Sequence, residues 1–558
     1  MAICESVLEK LNPVILRAFN SALSKNKPLS NNKIKQFQSI LLQERTALMH
    51  NYGVVKNQTK LISDNKVRII NQSSQISEQV KLAGCNPFNI QADLIDLDLL
   101  TDSGTSELYL AQKALIKQWL AKVSSINTFA YAGLLPRKQL DIIVSNIFGN
   151  NHKHYPVLQG RSGEHILLNA LVSSGVFSKG KTILSNRPFD TTKGHIDFSG
   201  LQVKALTKLA DPDRYWNSDS VFMGNVDFQA LLKETVSDCS AILVTMTDNG
   251  GGGQPVSMKN YQEVVSYAMK NNLLVWLDAC RIFENAFFIH VFEPEYVKKS
   301  ILEIVQEIFS YADIVTLSYK KMYAHSGGAI LLNKSSKKLS SKFAEIESLI
   351  QKETTVEYGL GFGAGYSGLT GIEMIEIISG LFECINPERI FGRVLQPIQL
   401  CAFLKAKYGL HCVGGGHAIY LASDQILSGI KKTSCPAEYL NAVLLSALRM
   451  RGCGLGNFLY GTRTLLNDKT FALKTAVSMD SLRLAIPRGV YSTILLCKTL
   501  SVLGTAYAQG LFSKIKGGLI PKTYEGDGFD HFKVCFEFED EQEFDLLVKQ
   551  VSDLAGKK

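Results

Sequence analysis

A lysine and an aspartate stand at the ends of two neighbouring apolar runs, where their side chains could hold a reactive aldehyde between them. Lys321 closes the run 314–321, and Asp278 follows the run 273–277, one helix and one loop upstream. A lysine amine can form a Schiff base with pyridoxal phosphate, and a carboxylate can keep the pyridine nitrogen protonated so that the ring accepts electrons. The two residues therefore predict a site for this cofactor.

The stretch from about residue 85 to 375 alternates strand-like and helix-like segments around this pair. The run 241–245 is typical of a buried strand, and Ser300 with Glu303 has the spacing of a helix capping box. Such alternation predicts an α/β fold with a mostly parallel sheet and helices on both faces. Ligands of these sheets bind beyond the carboxyl ends of the strands, which is where the lysine and the aspartate fall.

A glycine-containing turn upstream is a candidate phosphate site. Gly160 lets the backbone approach an anion, and Arg161, in the segment Gln159-Gly160-Arg161, adds positive charge at the start of a helix. Ser318 could add a hydroxyl to the same phosphate. Phe189 could stack on a pyridine ring or simply belong to the core, and the sequence alone does not separate the two.

The length of 558 residues predicts more than one domain. We expect a partly helical N-terminal extension over 1–80, a large cofactor-binding domain over 81–380 and a smaller α+β domain over 381–558. The composition, 46% hydrophobic and 20% charged, is typical of a globular protein. The basic excess behind the formal charge of +9 is densest before residue 80, and we interpret it as a solvated surface, since no aromatic interleaving indicates a nucleic-acid-binding arm.

The eleven cysteines are scattered singly, without a CxxC pair or a tight Cys/His cluster. This pattern speaks against structural zinc, and an odd number fits a reducing compartment. The first residues lack the pattern of a signal peptide, and the apolar segment 491–510 is interrupted by Lys498. We therefore expect a cytoplasmic protein with no metal site, no membrane span and no nucleic-acid partner.

Nine short segments, in the order of the family, resemble the β-eliminating lyases, which include tryptophanase and tyrosine phenol-lyase. They are 96–105, 130–133, 159–161, 189–195, 252–257, 278–286, 318–321, 415–418 and 483–488. The resemblance implies a pyridoxal-phosphate enzyme of fold type I, similar to aspartate aminotransferase, with a large domain and a smaller C-terminal domain. It also implies carbon–carbon lyase activity on an amino acid and a homotetramer with sites at subunit interfaces.

The resemblance assigns roles to the residues at matching positions. For the cofactor these are Lys321, Asp278, Arg281, Gln159, Gly160, Arg161, Phe189 and Ser318, with Tyr366 reaching toward the site of a neighbouring subunit. For the substrate they are Thr101, Ser103, Asn249 and Arg483, the last binding the α-carboxylate through two parallel hydrogen bonds. For catalysis they are Lys321 as the base, Tyr131 as the general acid, and Asp190 and His531 in the side-chain pocket.

Three features of the resemblance favour an indole over a phenol as the leaving group. Leu455 stands where phenol recognition uses an arginine, Asp190 corresponds to the acid of the tryptophanase pocket, and His531 matches the tryptophanase pattern. We therefore expect cleavage of L-tryptophan to indole, pyruvate and ammonium. Phe129 replaces an acid that binds a monovalent cation in the family, which leaves a requirement for potassium open.

Other departures from the family pattern keep two alternatives open. Leu134, Leu158 and Met322 replace polar residues around the site. A related lyase could act on tyrosine, serine or cysteine, and a cofactor-binding protein with little turnover could use its N-terminal extension to bind a partner. The complete catalytic set argues against the second alternative, because none of its residues is needed merely to fold.

Overall fold

The computed structural model describes residues 75–103, 134–207, 221–358, 369–467, 470–475, 479–522 and 530–556. The strands in these ranges are β1 (Leu97–Asp98), β2 (His152–Val157), β3 (Thr182–Ser185), β4 (Gln202–Ala205), β5 (Cys239–Thr245), β6 (Leu274–Asp278), β7 (Ile314–Ser318), β8 (Gly328–Asn333), β9 (Cys412–Gly414), β10 (Ala418–Ala422), β11 (Met450–Arg451), β12 (Cys453–Leu455), β13 (Thr462–Asn467), β14 (Thr470–Thr475), β15 (Ser481–Ala485), β16 (Leu519–Pro521) and β17 (Phe536–Phe538). The longer helices are 75–82, Leu134–Phe148, Gly160–Ser173, Asp190–Phe198, Met258–Lys270, Ile282–Phe292, Ile301–Ser310, Phe343–Tyr358, Gly371–Cys384, Pro387–Tyr408, Pro436–Leu448, Thr493–Ala508 and Glu541–Gly556.

Within the described ranges, seven strands form the central sheet in the order β2-β8-β7-β6-β5-β3-β4. The strands from β7 to β4 run parallel to their neighbours, while β8 is antiparallel to both β7 and β2. Strand β6 contributes Val275 and Leu277 to one apolar core and Leu274 and Trp276 to another, so both faces of the sheet are covered. The predicted α/β class with a mostly parallel sheet is confirmed.

The helix that precedes β7 begins where the sequence predicts. Ser300 Oγ accepts a hydrogen bond from Glu303 N at 3.2 Å, and Glu303 Oε2 accepts one from Ser300 N at 2.7 Å. This reciprocal pair satisfies two N–H groups of the first turn. The apolar side of the helix is buried in the core on one face of the sheet, which fixes the position of β7 and of the residues that follow it.

The two residues that first indicate a cofactor site lie at the same edge of the sheet. Strands β6 and β7 are parallel neighbours, and Asp278, the last residue of β6, pairs with Thr316 of β7. Strand β7 ends at Ser318, and a 3-10 turn, Tyr319–Lys321, follows it. Lys321 therefore lies one turn beyond the strand rather than at its end, because the chain folds back there toward β8.

The C-terminal part of the chain forms a separate four-stranded antiparallel sheet in the order β12-β15-β10-β9. Its core also takes up Val80, Ile90, Leu97 and Leu99. The sequence assigned residues 81–380 to the large domain, but these early side chains pack in the C-terminal core because β1 pairs with β11. The domain boundaries at 80 and 380 stay a prediction.

The alternation of Phe532, Val534, Phe536 and Phe538 predicts one strand over 532–538, but the strand in the structure is shorter. Strand β17 covers only Phe536–Phe538, and a 3-10 turn occupies Asp530–Phe532. The partner strand β16 has three residues, so only three residues of β17 find a partner for backbone pairing. His531 consequently lies on a turn ahead of the strand.

Candidate active site

The side chain of Lys321 is largely buried, with 19% of its surface exposed, and its amine makes three polar contacts. Nζ donates to Thr101 Oγ1 and to Ser103 Oγ, both at 2.8 Å, and lies 2.9 Å from Asp102 Oδ1. Thr101 and Ser103, which the resemblance assigns to the substrate, therefore lie beside the lysine. Burial lowers the pKa of Lys321 to about 8, and the negative charge of Asp102 limits that decrease. Such an amine is partly neutral near physiological pH, as a nucleophile or a base must be.

Asp278 is the second buried charged group at this edge of the sheet. Its Oδ1 accepts a hydrogen bond from Cys280 N at 3.2 Å. Burial raises the pKa of Asp278, while the hydrogen bond to Cys280 and the charge of Arg281 act in the opposite direction. A positively charged partner, such as a protonated pyridine nitrogen, would offset the cost of burying this carboxylate.

The predicted phosphate turn lies against the end of β7. Gln159 is the extended residue before the helix Gly160–Ser173, and a Cβ on Gly160 would lie 3.0 Å from Ser318 Cβ. A side chain at this position would crowd Ser318, so glycine favours the close approach, which leaves the N–H groups of the first helical turn beside the Ser318 side chain. The guanidinium of Arg161 lies 5.3 Å from the ring centroid of Phe532. This corner fits a phosphate group bound by backbone donors.

Arg483 and Asn249 form the part of the site assigned to the amino-acid substrate. Arg483 donates from Nη1 to Asn249 Oδ1 at 3.1 Å and from Nη2 to Leu100 O at 3.0 Å. Its guanidinium carbon lies 5.9 Å from the ring centroid of Phe189. The same Asn249 oxygen accepts a hydrogen bond from Tyr420 Oη at 2.9 Å. The amide is thereby held in one orientation.

Two buried donors in this part of the site have no hydrogen-bond partner among the described residues. They are Nδ2 of Asn249 and Nε of Arg483. A buried donor left unsatisfied costs about 1–3 kcal/mol, which a bound anion or a ring hydroxyl would recover. The donor set therefore fits a carboxylate substrate beside an oxygen-bearing aromatic cofactor.

A carboxylate–imidazole pair lies beside Phe189. Asp190 follows Phe189 at the start of the helix Asp190–Phe198, and its Oδ2 lies 3.2 Å from His531 Nε2. Burial would raise the pKa of Asp190, but His531 and Arg483 outweigh it, so the pKa of this carboxyl is lowered. The ring of Phe88 lies 5.9 Å from that of His531, which adds an aromatic wall.

Leu455 lies fully buried at the end of β12, in an apolar cluster that also contains Phe88 and Leu100. The predicted general acid Tyr131, the predicted inter-subunit residue Tyr366 and the substituted cation ligand Phe129 lie outside the described residues. Their roles stay predictions. Within the part of the chain that the structure describes, no group of three or more His, Cys, Asp or Glu side chains is placed to hold a metal ion.

Sequence reasoning missed a set of buried charges next to the lysine. Asp102, between the assigned residues Thr101 and Ser103, contacts Arg281 as well as Lys321, and further contacts come from Arg393 and Arg488. The position of Asp102 inside a family-like segment was a usable signal. Arg393 gave none, because one arginine on a long helix is ordinarily a surface residue.

An α/β fold that brings a largely buried lysine, a buried acid and a helix start to one sheet edge is typical of pyridoxal-phosphate enzymes of fold type I. No helix among the described residues is long and apolar enough to cross a membrane.

The sequence profile of the family described as "Beta-eliminating lyase" matches residues 98–499. A "Tryptophanase" of Hyphomonas neptunium is 33% identical over 419 residues, which cover 74% of this chain and 85% of that protein. A "Probable beta-eliminating lyase" of Trichomonas vaginalis is 32% identical over 472 residues, which cover 83% of this chain and 94% of that protein. A "Tryptophanase" of Escherichia coli O157:H7 is 30% identical over 425 residues, which cover 74% of this chain and 85% of that protein. The chain therefore belongs to the β-eliminating lyase family and is a pyridoxal-phosphate-dependent lyase, as the resemblance predicted.

Proposed function

We propose that this lyase cleaves L-tryptophan to indole, pyruvate and ammonium. The observation that carries the proposal is the contact between Asp190 and His531, next to Phe189 and Arg483. A carboxylate held anionic in a largely apolar pocket suits a substrate side chain that bears an N–H group. The relatives named tryptophanase, from Hyphomonas neptunium and Escherichia coli, support the same substrate.

The α-carboxylate of the substrate is bound by Arg483. This guanidinium has five N–H donors, and the contacts with Asn249 and Leu100 use only part of them. The N–H of Nε, which has no partner among the described residues, is one of the donors left for the substrate. Asn249, oriented by Tyr420, directs its own unsatisfied Nδ2 donor to the bound molecules.

Lys321 is the base that takes the Cα proton of the substrate. When bound, pyridoxal phosphate supplies an aldehyde that condenses with an amine and a ring that takes up electrons. Gln159, Gly160, Arg161 and Ser318 would hold its phosphate, Phe189 would cover one ring face, and Asp278 would bind the pyridine nitrogen. Burial keeps the pKa of Lys321 near 8, so the amine can lose and regain a proton at physiological pH.

The indole group is oriented by Asp190 and excluded from water by the rings around it. Asp190 accepts the indole N–H, and His531, 3.2 Å away, stabilises the negative charge of that carboxylate. Tyr131 is the proposed donor of the proton to the departing ring carbon. Leu455 leaves this pocket without the positive charge that a phenol would require.

The enzyme is proposed to be a cytoplasmic homotetramer in which Tyr366 reaches the site of a neighbouring subunit. The family resemblance supports this assembly, and the scattered single cysteines support the reducing compartment. The phenyl ring of Phe129 offers no oxygen to a cation, so a potassium requirement is not part of the proposal.

Replacement of Asp190 by asparagine tests the substrate. Wild-type protein with pyridoxal phosphate should release indole from L-tryptophan, and Asp190→Asn should lower kcat/KM for tryptophan by about 10²–10⁴-fold. Release of pyruvate from a cysteine or serine derivative with a good leaving group should change little, since departure of that group needs no help from the pocket. Asp197→Asn, which removes an exposed carboxylate from the same helix, is the matched control.

Two results would contradict the proposal. One is an equal loss on tryptophan and on the activated derivative, because Asp190 would then support the fold rather than the indole. The other is wild-type protein that forms phenol from tyrosine and no indole from tryptophan, which would favour the related lyase considered above.

A further inference from the structure

The carboxylate of Asp102 is almost completely buried, with 1% of its side chain exposed, and yet it contacts four cationic side chains. Arg281 binds it through two parallel hydrogen bonds, Nη2 to Oδ1 at 2.9 Å and Nε to Oδ2 at 3.0 Å. Lys321 Nζ lies 2.9 Å from the same Oδ1. Oδ1 of Asp102 therefore contacts both Lys321 and Arg281.

Two further arginines close the other side of this carboxylate. Arg393 Nη2 donates to Oδ2 at 3.2 Å, and Arg488 Nη1 lies 3.5 Å from Oδ2 and donates to the backbone oxygen of Asp102 at 3.2 Å. Both arginines also face Glu284, with Arg488 Nη2 donating to Glu284 Oε1 at 2.5 Å. Buried charges of both signs are therefore interleaved around Asp102.

The arrangement keeps Asp102 paired whether or not Lys321 carries a charge. When the lysine amine bonds to an aldehyde or gives up its proton, three guanidinium groups still surround the carboxylate, and an arginine does not lose its charge in proteins. The pKa of the Asp102 carboxyl is well below its usual value: burial would raise it, but nearby positive charges, of Arg281 first and then of Lys321, outweigh that effect. The Asp102 carboxylate therefore stays ionised and in place when the charge of the Lys321 amine changes.

We propose that Asp102 is a positioning residue that holds the Lys321 amine and the Arg281 guanidinium in fixed relation to the cofactor and sustains the basicity of the buried lysine. The hydroxyl groups of the neighbouring Thr101 and Ser103 accept hydrogen bonds from the same amine. The inference rests on Lys321 being the cofactor-binding lysine of the proposed function. It adds a charged group, from a segment distant in the chain, on which the reactivity of that lysine depends.

The test measures the lysine itself in cofactor-free protein. A limiting amount of an amine-acetylating reagent is applied over a pH series, and mass spectrometry follows modification of the peptide that contains Lys321. Wild-type protein should show half-maximal reactivity near pH 8. Asp102→Asn should move this midpoint down by about 1–3 pH units, because an opposite charge within a few ångströms favours the protonated amine.

Two variants control the result. Asp98→Asn removes a carboxylate from the same segment, one that is paired with Arg451 instead, and should leave the midpoint unchanged. Asp102→Glu keeps the negative charge, so the pH midpoint of Lys321 reactivity should stay near that of wild type. The displaced carboxylate should weaken cofactor affinity, which an absorbance titration measures. A merely structural role of Asp102 would lower the amount of folded protein and leave the midpoint where it is.

The proposal is overturned if the midpoint of Asp102→Asn equals that of Asp98→Asn, or if it rises. Should Asp102→Asn fail to fold by circular dichroism, the double variant Asp102→Asn with Arg393→Gln removes one buried charge of each sign and is measured in its place. Because this assay uses neither cofactor nor substrate, it can fail while tryptophan cleavage stands. If cleavage of tryptophan is not found, the same shift still establishes the pairing.

Discussion

The two ends of the active site are built from different interactions. The lysine end consists of one buried carboxylate, that of Asp102, surrounded by four cationic side chains from distant segments, namely Lys321, Arg281, Arg393 and Arg488. The side-chain end, formed by Asp190, His531, Phe88 and Phe532, consists of one carboxylate–imidazole pair among aromatic rings.

The difference indicates which end can change during evolution of substrate preference. Removal of one partner from a buried ion pair strands the other charge, at a cost of about 3–5 kcal/mol, so the lysine end tolerates few substitutions. Aromatic rings can be exchanged for others of similar volume at a cost below about 1.5 kcal/mol. The chemistry is therefore fixed at one end, while specificity is adjustable at the other.

The largest effect is expected at the lysine end. Lys321→Ala should abolish the visible absorbance that bound pyridoxal phosphate gives the enzyme and lower turnover by at least about 10²–10⁴-fold, because both the covalent anchor and the base are lost. Absorbance spectra and pyruvate release measure the two effects. Lys342→Ala, at an exposed lysine paired with Glu345, is the control. A variant at 321 that kept the absorbance would remove the distinction between the two ends.

An intermediate effect is expected at Arg483, which lies between the two ends. Arg483→Lys keeps the charge but loses the planar set of donors, so KM for every amino-acid substrate should rise by about tenfold to a hundredfold, with kcat changed less. Initial rates on tryptophan and on an activated cysteine derivative separate this outcome from a change in specificity. A rise in KM for tryptophan alone would place Arg483 at the side-chain end. Arg389→Lys, on the surface and paired with Glu383, serves for comparison.

The smallest effect is expected in the pH dependence of protein stability, and it arises at Glu164. Glu164 is buried, and its oxygens accept hydrogen bonds from Thr192 at 2.6 Å and from Thr191 at 3.1 Å. Burial, together with the charge of Asp278, raises the pKa of Glu164 from 4.5 to about 8. Between these values the unfolded carboxyl ionises while the folded one stays protonated, so this group lowers stability as pH rises.

Glu164→Gln removes that titration. The Tm of cofactor-free Glu164→Gln relative to wild type should therefore increase from about pH 5 to about pH 8. Differential scanning calorimetry at several pH values measures the trend, and Glu345→Gln on the surface controls for loss of a carboxyl. A difference that stayed constant or decreased with pH would mean that Glu164 is already ionised in the folded protein.

Local patterns were sufficient to predict the sheet edge that carries Asp278 and Lys321. The apolar run of β6 ends where the buried strand ends, and the capping box at Ser300 fixes the helix that leads into β7. Each of these signals lies within a few residues along the chain. Recognition of the family added residues from separate segments that no local pattern connects.

The lysine end as a whole could not be predicted from the sequence. Asp102 and Arg393 are 291 positions apart, and Asp102 and Arg281 are 179 apart. Nothing in the residue types says which of many aspartates is buried or which arginines surround it, because long-range pairing depends on tertiary packing. The same holds for Ile90, Leu97 and Leu99, which pack in the C-terminal core, because the pairing of β1 with β11 joins segments that lie far apart in the chain.

Lys321 and Asp278 are proposed to hold opposite ends of one pyridoxal phosphate. Reduction of the cofactor-loaded enzyme with borohydride converts the bond between lysine and cofactor to a stable amine, and peptide mapping by mass spectrometry then locates it. We expect the phosphopyridoxyl group on Lys321 in wild-type protein and weaker cofactor retention in Asp278→Asn. A label on another lysine, or none on any, would contradict it.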